Sequence, residues 1–149
     1  AICYETRRRY WTYALPIIQA ENAESGSFSK NKPHTSNAQS TYFGIGGFEL
    51  CCVANYDSAN VSFYLGSSDL TKNKRAFDGL YARKAEIEKA LGTELVWKFN
   101  ESGPSRVLAE LKNVSIGQET DWPMMAKFHA EWSAKMRSVV LPILKQIQL

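Results

Sequence analysis

The chain has 149 residues, 18 basic and 15 acidic, for a net charge of +3. Hydrophobic residues make up 44%, aromatics 12% and charged residues 22%. These globular proportions exclude disordered, collagen-like and coiled-coil chains and leave one domain, 1–149, large enough to build a core without staples.

The charge is spread evenly, with 8 basic and 6 acidic residues up to position 75 and 10 and 9 beyond it. No basic half or tail marks a dedicated nucleic-acid binder. The one basic run, Arg7-Arg8-Arg9, points three ways on a helix and reads as a solvated face. The longest apolar run, Val139 to Leu144, contains Pro142 and is too short for a membrane span. Three cysteines, an odd number, argue against a disulfide framework and for a reducing, cytoplasmic setting. With two histidines scattered among them, no zinc site is expected.

In chain order, residues 4 to 23 read as a helix with the stripe Tyr4, Arg8, Trp11, Leu15 and Ile18, bent at Pro16. Residues 24 to 41 are polar and broken by Pro33, which predicts a long loop carrying Lys30, Lys32 and His34. Tyr42 to Ala54 alternates as a first strand behind the bend Gly44-Ile45-Gly46-Gly47, which is no dinucleotide fingerprint. Cys51 and Cys52 then leave opposite faces. Asn55 to Asn60 is turn chemistry, and Val61, Phe63 and Leu65 mark a second strand.

Asp69 can cap a helix from Leu70 to Leu91, stopped by Gly92. Lys84 interrupts its apolar stripe and can snorkel or pair with Glu88 at i+4. Leu95, Trp97 and Phe99 alternate as a third strand, and Val107, Ala109 and Leu111 as a fourth. Thr120 or Asp121 caps the last helix, whose stripe holds Met125, His129, Trp132 and Met136 and which Pro142 should kink. The order α-β-β-α-β-β-α predicts an α+β domain: a four-stranded, mostly antiparallel sheet with helices packed on it. One face carries Phe48, Leu50, Phe63, Leu65, Leu95, Trp97, Val107 and Leu111. The other carries Glu49, Cys51, Tyr64, Glu94, Lys98, Arg106 and Glu110 and is polar and open.

As a set, Arg9-Tyr10-Trp11, the strand from Tyr42 ending in Ala54-Asn55-Tyr56-Asp57, Asn73 to Leu80, Leu95-Val96-Trp97, Ser105-Arg106-Val107 and Asp121-Trp122-Pro123 resemble the bacterial, archaeal and phage domain-of-unknown-function 4268 family over about residues 7 to 147. Such domains often follow a restriction-endonuclease-like domain. The resemblance therefore implies a DNA-metabolism or phage-defence context and an N-terminal nuclease-like neighbour in a longer parent chain. A chain that starts at Ala1 without Met fits such a C-terminal piece. The resemblance assigns no catalytic residue.

The residues themselves offer three functional readings. In the first, the domain is a non-catalytic accessory module that contacts DNA or a protein. It would use Lys98, Arg106 and Tyr64 on the polar sheet face, Lys84, and the loop lysines Lys30 and Lys32, with no cofactor. Arg106 can grip phosphate or make a structural salt bridge, and Tyr64 can stack on a base. In the second, Glu94, Glu110 and Lys112 form a Mg²⁺-dependent nuclease site, since a turn centred near Ser102 sets Glu94 opposite Glu110 and Lys98 opposite Arg106. The structural reading of the same residues is cross-strand surface pairs. In the third, the apolar end of the last helix holds a homo-oligomer together. His129, between Met125 and Trp132, reads as a satisfied core histidine.

Overall fold

The computed structural model describes residues 2–149; Ala1, where the absent initiator was noted, lies outside them. The elements are α1 (Ile2–Glu21), β1 (Ala38–Tyr42), β2 (Phe48–Ala54), β3 (Ser58–Leu65), α2 (Leu70–Tyr81), α3 (Lys84–Leu91), β4 (Val96–Lys98), β5 (Ser105–Lys112) and α4 (Trp122–Leu144). A short 3-10 turn, Glu119–Asp121, leads into α4. The class is α+β as expected, but the antiparallel sheet has five strands, in the order β1-β2-β3-β5-β4. The four-stranded order α-β-β-α-β-β-α is corrected at two places, each for a physical reason.

The first correction is β1, which occupies the end of the expected 24–41 loop and splits the expected Tyr42–Ala54 strand into a hairpin. Tyr42 pairs with Glu49 and Ala38 with Val53. The strand lacks an apolar alternation because its inward side chains are Gln39 and Thr41. Gln39 is fully buried, yet its amide is satisfied by Asn31 and the Lys32 carbonyl. Thr41 Oγ1 accepts the Phe28 N–H at 3.1 Å. The preceding segment is pinned over β1 by these bonds and by Phe28, which is buried at a left-handed φ of 64°. The hairpin turns through Gly47 at φ 87°, where a Cβ would stand 2.5 Å from the Ser67 Cα. Only glycine fits both constraints.

The second correction divides the expected Leu70–Leu91 helix at Ala82–Arg83. A straight helix would carry Lys84 onto the buried stripe of Ala76, Phe77, Leu80, Ile87 and Leu91. The break places Lys84 at the start of α3 with its side chain 39% exposed and its Nζ 2.9 Å from Glu88. Burying an amine costs more than restarting a short helix. By contrast, α4 runs through Pro142 and ends two residues later, where the missing N–H removes one bond near a terminus.

One sheet face, with Phe48, Leu50, Phe63, Leu65 and Val107, forms the core with the helices. α4 packs on β2, β3 and β5, and α1 packs on α4. Where they meet, Tyr10 of α1 donates its hydroxyl proton to His129 Nδ1 at 2.7 Å, and His129 Nε2 donates to the Val53 carbonyl of β2 at 2.9 Å. His129 is thus the satisfied core histidine that its stripe predicts. Burial pushes the imidazole down to about 4, against the opposing pull of the Val53 and Asn60 carbonyls. The folded value lies below the ordinary 6.5, so the unfolded chain takes up the proton first. The stabilisation is complete above pH 6.5, declines as pH falls and is lost by about pH 4. Denaturant titrations at pH 7 and pH 5 should differ by about 2 kcal/mol from this group. That pH dependence should vanish in His129→Gln, which should also be less stable at pH 7. An unchanged slope in the variant would contradict the assignment.

Candidate functional site

The strands' own alternation builds the site. Neighbouring rows cross the face turned away from the helices. Antiparallel register sets Tyr42 beside Glu49, Glu49 beside Tyr64, Tyr64 beside Arg106, and Arg106 beside Lys98. The next row is small in its first three strands: Ser40, Cys51 and Ser62. The result is a shallow trough of about 300 Å³ lined by Ser40, Cys51, Ser62, Glu49, Tyr64 and Arg106, with Asn37, Ala38 and Val53 on its other side. Tyr42 is 62% exposed.

Tyr64 owes its posture to the next residue on its face. A Cβ at Gly66 would collide with the Tyr64 ring, so the ring lies back along β3 over that glycine. The Arg106 guanidinium sits 5.3 Å from the ring centroid. Such a cation–π contact orders the guanidinium and leaves its N–H donors free. Among the described residues, Arg106, Lys98 and Glu49 form no ion pair. Cys51 is 8% exposed, and its thiol lies 3.4 Å from Ser40 Oγ. Burial pushes that thiol up, against its bond to Ser40, so it is a neutral floor rather than a nucleophile. Cys52 points into the core as expected, its Sγ donating to the His129 carbonyl at 3.8 Å.

The other candidates are placed elsewhere. Lys30 and Lys32 are exposed on the segment packed over β1, at the opposite sheet edge from Lys98. Strand spacing puts them roughly 15–20 Å from Lys98 and Arg106, across the width of the sheet. Lys84 lies on the helical side and is committed to Glu88. Glu88 Oε2 also accepts the Leu95 N–H at 2.6 Å and the Trp97 indole N–H at 3.2 Å. Burial opposes ionisation of Glu88, but the Leu95 N–H, Lys84 and Trp97 together hold its carboxyl below the ordinary value. This carboxylate, expected from its spacing only as a partner for Lys84, anchors the start of β4 and thereby the position of Lys98. The i, i+4 spacing was the visible signal; the bonds to Leu95 and Trp97 had none.

Glu94, Glu110 and Lys112 do line one depression of about 250 Å³, ahead of the start of β4, where the edge of β5 is unpaired. Glu94 precedes β4 and is not part of the ladder. Lys112 Nζ is 3.9 Å from Glu110. No group of three or more His, Cys, Asp or Glu among the described residues is arranged to hold a metal ion. Two carboxylates and a lysine therefore share this depression, with the lysine next to one of them. The apolar end of α4 is largely used within the fold. Val140 and Leu144 are buried, Leu141 lies against Gly44, and Ile147 lies against Gly79. No helix among the described residues is long and apolar enough to cross a membrane.

The molecule is thus an α+β domain with helices on one side of its sheet and a polar, aromatic-basic face on the other. The sequence pattern described as "Domain of unknown function (DUF4268)" matches residues 6–144, and the chain belongs to that family. No curated protein and no solved structure matches it.

Glu88→Ala strands the Leu95 N–H and the Trp97 indole N–H. It should destabilise the domain by about 2 kcal/mol in chemical unfolding and red-shift tryptophan emission as β4 loosens. Lys84→Ala breaks only an exposed ion pair and should cost much less. Equal losses in the two variants would contradict the anchoring role of Glu88.

Proposed function

We propose that this domain is a non-catalytic contact module whose open sheet face binds nucleic acid, and that it serves a longer, nuclease-like parent chain. The observation that carries the reading is the Arg106 guanidinium over the Tyr64 ring, with Lys98 in register beside it, on a face that no helix among the described residues covers. An aromatic ring with unpaired cations beside it is what bases and phosphates need. The modest net charge of +3 fits a weak, auxiliary contact rather than an independent high-affinity binder. The nuclease-like neighbour and the phage-defence setting rest on the family resemblance alone.

Two features favour contact over catalysis. Lys112 pairs with one of the two carboxylates of the acidic depression, and the thiol that lines the trough, Cys51, is neutral. The terminal helix favours neither assembly nor its absence, since most of its apolar side chains are packed internally.

Fluorescence-anisotropy titration with labelled single-stranded and duplex DNA at two salt concentrations tests the reading. Binding should weaken steeply with salt. The double variant Lys98→Ala/Arg106→Ala should bind about tenfold more weakly at low salt, with the slope of log K against log salt reduced by about 1.5. Binding that is absent at low salt, or unchanged in the double variant, overturns the proposal and turns attention to a protein partner. Mg²⁺-dependent cleavage that disappears in Glu110→Gln would replace it with the nuclease reading.

A further inference from the structure

We infer that the trough over Cys51 receives one unstacked base of a single strand, and that Glu49 selects a base bearing an amino group. The inference rests on the nucleic-acid reading of this face and names the form of ligand it takes.

The trough exists because three successive strands place small side chains in one row, Ser40, Cys51 and Ser62, beside a row of large ones. Tyr64 would otherwise cover Ser62, but its ring is laid over Gly66 instead. The volume of about 300 Å³ lies at the lower end of the range for small-ligand pockets and suits one heterocycle with its water. The floor is uncharged and polarisable. Cys51 and Ser62 are 8% and 3% exposed, and the thiol is neutral. Such a floor can meet the face of a ring without the cost of stripping water from a charge.

The rim is bipolar. Glu49 and Arg106 flank Tyr64 on the two neighbouring strands, so they stand roughly 10 Å apart along one side of the trough. Neither has an ion-pair partner among the described residues. A nucleotide has the matching polarity: hydrogen-bond donors on its base edge and an anionic phosphate at the other end. Arg106 provides donors only and takes the phosphate. The Glu49 carboxylate provides acceptors only, so it accepts from the exocyclic amino group of cytosine, adenine or guanine. Uracil and thymine present a carbonyl oxygen at the position where cytosine has its amino group, and that oxygen faces the carboxylate unfavourably. In a duplex the base is stacked between its neighbours and cannot reach the floor of the trough. Only a single strand can supply it.

The experiment compares labelled oligo(dC) and oligo(dU) of about twelve nucleotides, within the usual span of single-strand sites. The two strands have the same backbone and differ chiefly in an amino group against a carbonyl at one ring position. The full chain should bind oligo(dC) about five- to tenfold more tightly than oligo(dU). Glu49→Gln, whose amide both donates and accepts, should bring the two affinities within about twofold while leaving the salt slope unchanged. Ser40→Leu, which fills the trough from the edge strand, should weaken oligo(dC) while retaining the remaining salt-dependent affinity. Far-UV circular dichroism of each variant verifies folding.

Equal wild-type affinities, a preference for oligo(dU), or a preference that survives Glu49→Gln overturns the base site. If the Lys98→Ala/Arg106→Ala loss persists in such a case, the face still binds nucleic acid and only the base site fails. If no strand binds at low salt, both readings fail together.

Discussion

A neutral imidazole joins the two long helices to the sheet. His129 of α4 accepts a hydrogen bond from Tyr10 of α1 and donates one to the Val53 carbonyl of β2, and its own carbonyl accepts from the Cys52 thiol. Three elements far apart in sequence converge on one side chain with no exposure. The arrangement works only while the ring is uncharged, because Nδ1 must accept while Nε2 donates. Around it Tyr10, Trp11 and Trp122 pack at ring distances of 4.9 to 5.8 Å, which sets how closely α1 lies on α4. The indole N–H groups of Trp11 and Trp122 are satisfied by the Ser36 and Ile116 carbonyls, so connecting segments are tied to the same junction.

Committing both helices to one face leaves the other to its side chains alone. An antiparallel sheet tolerates this when the second face is polar, and that face here holds Glu49, Tyr64, Arg106 and Lys98. Its buried members, Cys51, Ser62 and Leu108, are shielded by their neighbours in adjacent rows rather than by a second layer. The candidate site is therefore a consequence of the packing on the opposite face. Its order comes from local devices: Gly66 receives the Tyr64 ring, Tyr64 carries Arg106, and Glu88 anchors the strand that presents Lys98.

The strand faces were legible in the sequence. Alternation placed Phe63 and Val107 inside and Tyr64 and Arg106 outside, and the turn near Ser102 set Lys98 opposite Arg106. Two pieces of the fold were not legible. β1 is held inward by Gln39 and Thr41, whose amide and hydroxyl are satisfied by a segment just upstream, so its pattern is that of a loop. The break before Lys84 answers to the environment that a straight helix would have met. The site was half visible. Lys98, Arg106 and Tyr64 were identified from parity and charge, while the trough depends on which way the Tyr64 ring leans. Lys30 and Lys32 lie at the other edge of the sheet, which sequence proximity to β1 could not say.

What the sequence determined by itself is the α+β class, the inward and outward sides of its main strands, and the hairpin partners on which the basic pair depends. These follow from side-chain periodicity and turn chemistry, which act over a few residues. What only the tertiary structure decided is the strand order, the fifth strand, the bare face, and the trough beside Glu49 and Arg106. Those depend on contacts such as Tyr10 with His129, which are separated by more than a hundred positions and leave no periodic trace.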